Sequence, residues 1–271
     1  MGLTLEGERV SGVQYMRLGK MHRVSAGIVI GADGVESRVG RWAGIKTHIP
    51  TSDLESAYQF YISGIDFENR YCHFYIGNKV APGGYLWMFP KGERTASIGI
   101  GVQASICDAG TAYHLLSDFV KRRFGKSAIV GEMAGGVPVS LPLKKPFKDG
   151  ILLVGDAARH CNPLTGGGIY TAMVSGYYAG QLAADAVADG DVSVNYLKKF
   201  NDLIYEDIWV VHNRAYRLAK GVAKLSDETF NRTANDVLAI PEEERTMKNI
   251  FLKALSSSPQ LAVDIIRAFV N

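Results

Sequence analysis

Two apolar strands in this chain each end in a glycine and an aspartate at the mouth of a helix. One is Ile151-Leu152-Leu153-Val154, which runs into Gly155-Asp156-Ala157-Ala158 and then reaches Pro163 and Gly166-Gly167-Gly168-Ile169. The carboxyl end of a strand is where open α/β sheets bind ligands. An aspartate there can accept hydrogen bonds from sugar or ribityl hydroxyls. Glycines without Cβ atoms let backbone approach a flat ring closely. The helix that they open offers free N–H groups and a positive dipole end, which favour developing negative charge. A turn in which Asp156 merely caps the helix is the bland alternative, and for Asp156 alone it would win. Pro163 and the triple glycine tip the balance toward a ligand site. The other strand, Ala26 to Ile30, leads into Gly31-Ala32-Asp33-Gly34, with Ser37 and Arg38 behind it. Alone it reads as a tight turn in which Asp33 and Ser37 cap backbone N–H groups. Two such turns in one chain are far more specific than either.

A third cluster is aromatic. Tyr85, Trp87 and Phe89 alternate and are followed by Pro90, Lys91 and Gly92; Gly99 and Gly101 alternate further on. Alternation puts all three rings on one face of a strand. Such a face makes a broad apolar wall suited to a long hydrocarbon chain, and the two glycines are expected to leave space opposite. A sheet face packed on a helix is the ordinary use of an aromatic strand; the flanking proline and the glycine spacing favour the wall.

Proton-transfer candidates are weak. His160 and Cys161 lie in the loop after Asp156. A loop histidine is more often a surface or hydrogen-bonding residue, and Cys161 a small buried hydrophobe. His73, between aromatics, is weaker still, and Cys72 and Cys107 read as structural. The three cysteines form no CxxC pair or disulfide framework, so a reducing cytoplasm is the default. No metal site is expected. Net charge is +3, with basic residues scattered apart from Lys121-Arg122-Arg123 and Lys144-Lys145, which excludes a strong nucleic-acid groove. The apolar-leaning stretch from Gly166 to Ala188 contains Asp185 and several polar residues, so it reads as a buried helix and not a membrane span.

These groups need a framework. Residues 7–24 read as a hairpin leading into a strand at 26–30, with a short helix around 38–43. Residues 56–102 read as an antiparallel meander, followed by a helix near 108–124 and a strand-like stretch at 136–139. A buried parallel strand at 151–154 and a long helix from about Gly166 follow, then an all-helical region with breaks near Gly221 and Pro241. The expected fold class is α/β with an antiparallel insert. Its parts are a partial Rossmann-like domain at 1–45, a sheet domain at 46–140, the first domain continued at 141–192, and a helical tail at 193–271.

The turn at Gly31 to Gly34 with Ser37 and Arg38 resembles the DG motif of the hydroxylase-like FAD superfamily. Gly155-Asp156, Pro163 and Gly166 to Gly168 resemble its GD motif. Tyr85-x-Trp87-x-Phe89-Pro90 with Gly99-x-Gly101 resembles the substrate signature of geranylgeranyl reductases, archaeal digeranylgeranylglycerophospholipid reductases among them. The resemblance implies FAD held by Asp33, Gly34, Gly155, Asp156, Pro163, Gly166, Gly167, Gly168 and Ile169, with Asp156 on the ribityl chain and Asp33 organising the pyrophosphate region. It implies an isoprenoid lipid held by Tyr85, Trp87, Phe89, Pro90, Gly99 and Gly101, and reduction of its double bonds in membrane lipid biosynthesis. A lipid substrate implies peripheral contact with a bilayer. The electron donor, NAD(P)H or ferredoxin, is not legible in the residues.

The superfamily's first motif, G-x-G-x-x-G on an N-terminal βαβ unit, is absent from these 271 residues. About a hundred further residues are therefore expected in front, or a separate N-terminal partner chain. The chain alone is expected to bind FAD weakly or not at all. The rival activities are a flavin monooxygenase on the same framework and an inactive fragment awaiting its N-terminal chain.

Overall fold

A computed structural model describes residues 2–246, 249–250, 252–253 and 256. It falls into two compact units. The first holds Met1–Ile49 and Pro138–Tyr216; the second holds Pro50–Val137 and the chain from Arg217 onward.

The first unit begins with three antiparallel strands, β1 (Gly2–Glu6), β2 (Arg9–Arg17) and β3 (Lys20–Ser25). The expected hairpin is thus a three-stranded sheet, because β1 pairs along β2 as well. The strand β4 (Val29–Gly31) leads to the short helix α1 (Arg38–Trp42). Much later in the chain, β10 (Phe147–Lys148) and β11 (Ile151–Leu153) complete a second sheet in the order β10-β11-β4. The strands β11 and β4 are parallel, Leu153 opposite Gly31. Ile151, Leu152 and Leu153 are wholly buried, as expected of a parallel strand covered on both faces.

The helix α3 (Ile169–Ala188) buries Thr171, Ser175, Ala179, Leu182 and Ala186. Steps of three and four residues keep these on one stripe. It packs in a core with Leu152, Val154, Leu197, Phe200 and Ile204. The last three come from the short helices α4 (Val194–Leu197) and α5 (Lys199–Leu203) and the turn after them. A π-helical stretch, Tyr205–Val210, then precedes α6 (Val211–Val222).

The second unit carries a five-stranded sheet in the order β6-β7-β8-β5-β9, its first four strands antiparallel. Its strands are β5 (Leu54–Ser63), β6 (His73–Ile76), β7 (Tyr85–Gly92), β8 (Thr95–Gln103) and β9 (Ala128–Pro138). The expected meander is therefore incomplete as a description: β5 lies between β8 and β9, and the strand expected at 136–139 is eleven residues long. The helix α2 (Thr111–Phe124) covers one face with Ala112, Leu116 and Val120. These meet Phe60, Ile62, Leu86, Met88, Ile98 and Ile100. Full burial of each large side chain stabilises by about 1.5–3 kcal/mol. One further helix, α7 (Asp227–Leu238), follows, capped by the Ser226 hydroxyl. The part of the expected helical tail at 257–271 lies outside the described residues.

Candidate functional site

The parallel pairing of β4 and β11 brings the two glycine–aspartate turns side by side, and Val154 N donates to Gly31 O at 3.0 Å. Past β4, the Asp33 carboxylate accepts from Val39 N at 2.9 Å and thereby caps α1. The capping expected of Ser37 is not found: its hydroxyl is buried and without a partner among the described residues, and its backbone is left-handed. Gly34 turns the chain with φ +78°.

Past β11 the backbone makes one turn of 3-10 helix, Gly155–Ala158. Gly155 has φ +57° and Gly166 φ +66°, a region costly for any residue with a Cβ. The Ser175 hydroxyl of α3 accepts from Gly155 N at 3.2 Å, locking the turn onto the helix. Asp156 caps nothing: its side chain accepts no hydrogen bond among the described residues, and burial raises its carboxyl above its ordinary value. Asn162, which sequence reasoning passed over, shapes the loop. Its side-chain oxygen accepts from Leu164 N at 3.0 Å and Thr165 N at 3.2 Å, and its backbone bonds to Gly166 and Gly167. An Asn-Pro pair is a turn signal that could have found it. Pro163 is buried beneath this loop.

Gly168 is the N-cap of α3, and no side chain caps the helix. The first N–H groups of a helix have no intrahelical acceptor, so those of the first turn remain available. A Cβ on Gly168 would stand 3.1 Å from Asp156 Oδ1 and 3.8 Å from Cys161 Sγ. The glycine therefore keeps the carboxylate and the helix opening in one concavity. Beyond it the helix presents Ile169, Tyr170, Met173 and Tyr177, all largely exposed. A cavity of about 620 Å³ opens at this end of α3. It is lined by Asn162 and Thr165 to Gly168 of the loop, by the first turn of α3, by Glu206 and Asp207 of the π-helical turn, and by Val211 and His212 of α6. π-Helical turns are rare and occur often at functional sites.

The His160 side chain is neither at the surface nor hydrogen-bonded among the described residues, contrary to the ordinary expectation for a loop histidine. It is completely buried, its ring lies 6.3 Å from that of Phe200, and neither ring nitrogen has a partner among the described residues. His212 is buried and unpartnered in the same way. Burial and the neighbouring His212 push His160 down to about 3; burial pushes His212 down to about 4. Both are neutral imidazoles at neutral pH. Cys161 is buried as expected, whereas Cys72 is exposed.

The concavity fits a flavin on three counts: an unpartnered aspartate, an uncapped helix opening, and glycines where a Cβ would intrude. Asp156 would hold ribityl hydroxyls, and the amides that begin α3 would face the polar edge of the ring. Among the described residues no cluster of His, Cys, Asp and Glu could hold a metal ion, and no helix is long and apolar enough to cross a membrane.

The second unit gathers the aromatic residues. Tyr85, Trp87 and Phe89 share one face of β7, while Leu86 and Met88 fill the core behind it. Phe74 of β6, which the sequence did not single out, joins them, its ring 5.7 Å from those of both Tyr85 and Phe89. The Trp87 and Phe89 rings stack at 6.3 Å. Pro90 stands where the register between β7 and β8 shifts. Gly99 and Gly101 lie directly opposite Trp87 and Tyr85.

The expected space over these glycines is filled. A Cβ on Gly99 would lie 2.2 Å from Trp87 Cζ2, and one on Gly101 would lie 2.5 Å from Glu55 Oε2. The indole lies across Gly99 and donates to Gln59 Oε1 of β5 at 3.1 Å. The glycines thus seat an indole and a carboxyl flat against the sheet. Gln59 and Glu55 escaped sequence reasoning, although the alternation along β5 places them on a single face.

Residues 53–137 match the model of the geranylgeranyl reductase catalytic domain. A digeranylgeranylglycerophospholipid reductase 1 of Methanococcoides burtonii is 49% identical over 199 residues, covering 73% of this chain and 49% of the relative. One from Methanocella arvoryzae is 37% identical over 265 residues, covering 98% and 68%. Against the first two relatives of Methanococcoides burtonii, this chain spans 49% and 65% of their length. Among solved structures, a geranylgeranyl bacteriochlorophyll reductase-like protein of Thermoplasma acidophilum superposes with a TM-score of 0.90 at 33% identity, covering 99% of this chain and 68% of that one. A flavin-dependent brominase variant shares the fold at 18% identity, with a TM-score of 0.65 over 97% of this chain and 67% of its own. With identities of 33% to 37% sustained over nearly the whole chain and two thirds of the relatives, the chain belongs to the geranylgeranyl reductase family.

Proposed function

We propose that this chain takes part in the FAD-dependent reduction of carbon–carbon double bonds in geranylgeranyl chains of a membrane lipid. The observation that carries the reading is the fold of the matched segment, residues 53–137, into a sheet with a continuous aromatic face. Relatives named as digeranylgeranylglycerophospholipid reductases support the lipid class, and the flavin-dependent structural neighbour supports the fold of a flavoprotein.

Reduced FAD supplies the hydride when bound. This chain's residues do the rest. Asp156 and the opening of α3 hold the cofactor. Tyr85, Trp87, Phe89 and Phe74 bind the hydrocarbon, exclude water and align the double bond. An isolated alkene has no carbonyl to take up charge, so a dry, fixed geometry matters more here than for a conjugated substrate. The test incubates the flavin-supplemented protein with a digeranylgeranyl glycerophospholipid and dithionite. A mass gain of two hydrogens per double bond is expected. Gain of an oxygen under air with NADPH, without saturation, would establish a monooxygenase instead.

A further inference from the structure

The aromatic face holds one ionisable group in an unusual setting. Glu55 stands half-buried toward one end of that face: it pairs with Gln103, and the next rung on the same face joins Ala57, Gly101 and Tyr85. Its carboxyl folds over bare backbone. Oε2 stands 2.5 Å from where a Gly101 Cβ would be, and Oε1 stands 3.5 Å from that of Gly84. Two glycines therefore make the seat, and any larger residue at Gly101 would expel the carboxyl.

Among the described residues none donates a hydrogen bond to Glu55 and none forms an ion pair with it. Lys220, the cation bound beside the start of β5, is engaged with Asp53 at 2.7 Å. The carboxyl is half-buried, and partial desolvation without a donor penalises its charged form. A sheet that needed only packing there would be served better by glutamine or leucine. Desolvation pushes the carboxyl up to about 7, the range in which a group can both keep and release a proton near neutrality.

We infer that Glu55 is a catalytic residue of the aromatic face, the acid that gives its proton to the double bond of the chain lying on that face. The inference rests on the reductase reading above. The O–H bond of Glu55 breaks as a C–H bond forms at the less substituted alkene carbon. The more substituted carbon, which better bears positive charge, receives the hydride that a reduced flavin supplies. The alkene thus gains one proton and one hydride, the flavin is oxidised by two electrons, and the Glu55 carboxylate recovers a proton from water when the product leaves. The hydrocarbon displaces water from the face, which favours the neutral acid until transfer. Tyr85 closes the seat on the β7 side; Gln103, from β8, carries no charge.

The test uses Glu55→Gln and Glu55→Asp in the flavin-loaded protein with a digeranylgeranyl glycerophospholipid in detergent micelles. In anaerobic single turnover of the pre-reduced protein, Glu55→Gln is expected to slow saturation at least about 100-fold, the usual contribution of a general acid. Lipid binding, followed by quenching of tryptophan fluorescence, should stay unchanged, and Glu55→Asp should recover part of the rate. A second readout needs no cofactor or lipid. Infrared difference spectra of the protein should show a protonated carboxyl band at neutral pH that Glu55→Gln removes. Wild-type rates in Glu55→Gln, or the absence of that band, overturn the assignment while the reductase reading stands. A wild type that binds lipid but never saturates it removes both.

Discussion

Replacing Gly99 by alanine tests whether the indole of Trp87 is set by the glycine beneath it. The new methyl carbon would stand 2.2 Å from Trp87 Cζ2, 2.4 Å from Cε2 and 2.9 Å from Nε1. Carbon–carbon contact is comfortable at about 3.5–4.0 Å, so the ring must rise by more than about 1 Å. It cannot do so and keep its 3.1 Å hydrogen bond to Gln59. Overpacking costs about 1–3 kcal/mol and the lost bond about 1 kcal/mol, for a total of about 2–4 kcal/mol. For a protein of this size that is a fall in melting temperature of about 5–15 °C. Thermal unfolding followed by circular dichroism reads the shift, and the tryptophan emission should move to the red as the indole lifts into water. The double change Gly99→Ala with Trp87→Phe should be less destabilised than the sum of the two, because the smaller ring relieves the clash. A Gly99→Ala protein that melts with the wild type, or strict additivity in the double variant, would refute the reasoning.

Glu55 also makes a prediction about stability. Its carboxyl titrates near 7 when folded and near 4.5 when unfolded, so the folded state binds more protons between these values. Its contribution is complete below about pH 4.5 and is lost as pH rises through about 7, by 1.36 × (7 − 4.5), or about 3 kcal/mol. Urea unfolding at pH 5 and pH 8 should therefore show Glu55→Gln gaining on the wild type at the higher pH; an equal difference at both would count against a buried carboxyl. His160 and His212 act in the opposite direction. Pushed down from 6.5 to about 3 and about 4, they contribute stability that is present above 6.5 and lost as pH falls toward those values. Imidazole nitrogen NMR should find neither ring titrating between pH 5 and 8, and a midpoint near 6.5 for either would contradict their burial. For the cofactor, Asp156→Ala should weaken FAD binding about 10- to 100-fold in any preparation of the protein whose wild type binds FAD, the worth of a hydrogen bond to a charged group. Flavin fluorescence titration measures it, and unchanged affinity would remove Asp156 from the site.

What was legible in the sequence was local. A run of apolar residues ending in Gly155-Asp156 announced a buried parallel strand with an acid at its carboxyl end. The triple glycine announced a helix opening, because only missing Cβ atoms permit that backbone close to a ligand. The two-residue period of Tyr85, Trp87 and Phe89 put them on one face, and the structure keeps them there. Tertiary structure decided what fills the volume against those groups. Gly99 and Gly101 read as open space, yet strand register sets an indole and a carboxyl upon them. Glu55 and Gln59 lie on a strand that a loop and two further strands separate from β8 in sequence, and it becomes β8's neighbour only when the sheet assembles. His160 looked like an ordinary loop residue until Phe200 and His212, far along the chain, closed over it. Side-chain periodicity is written in the local backbone, whereas desolvation depends on which distant segments cover a group. The chain's chemistry at Glu55, His160 and His212 follows from the second.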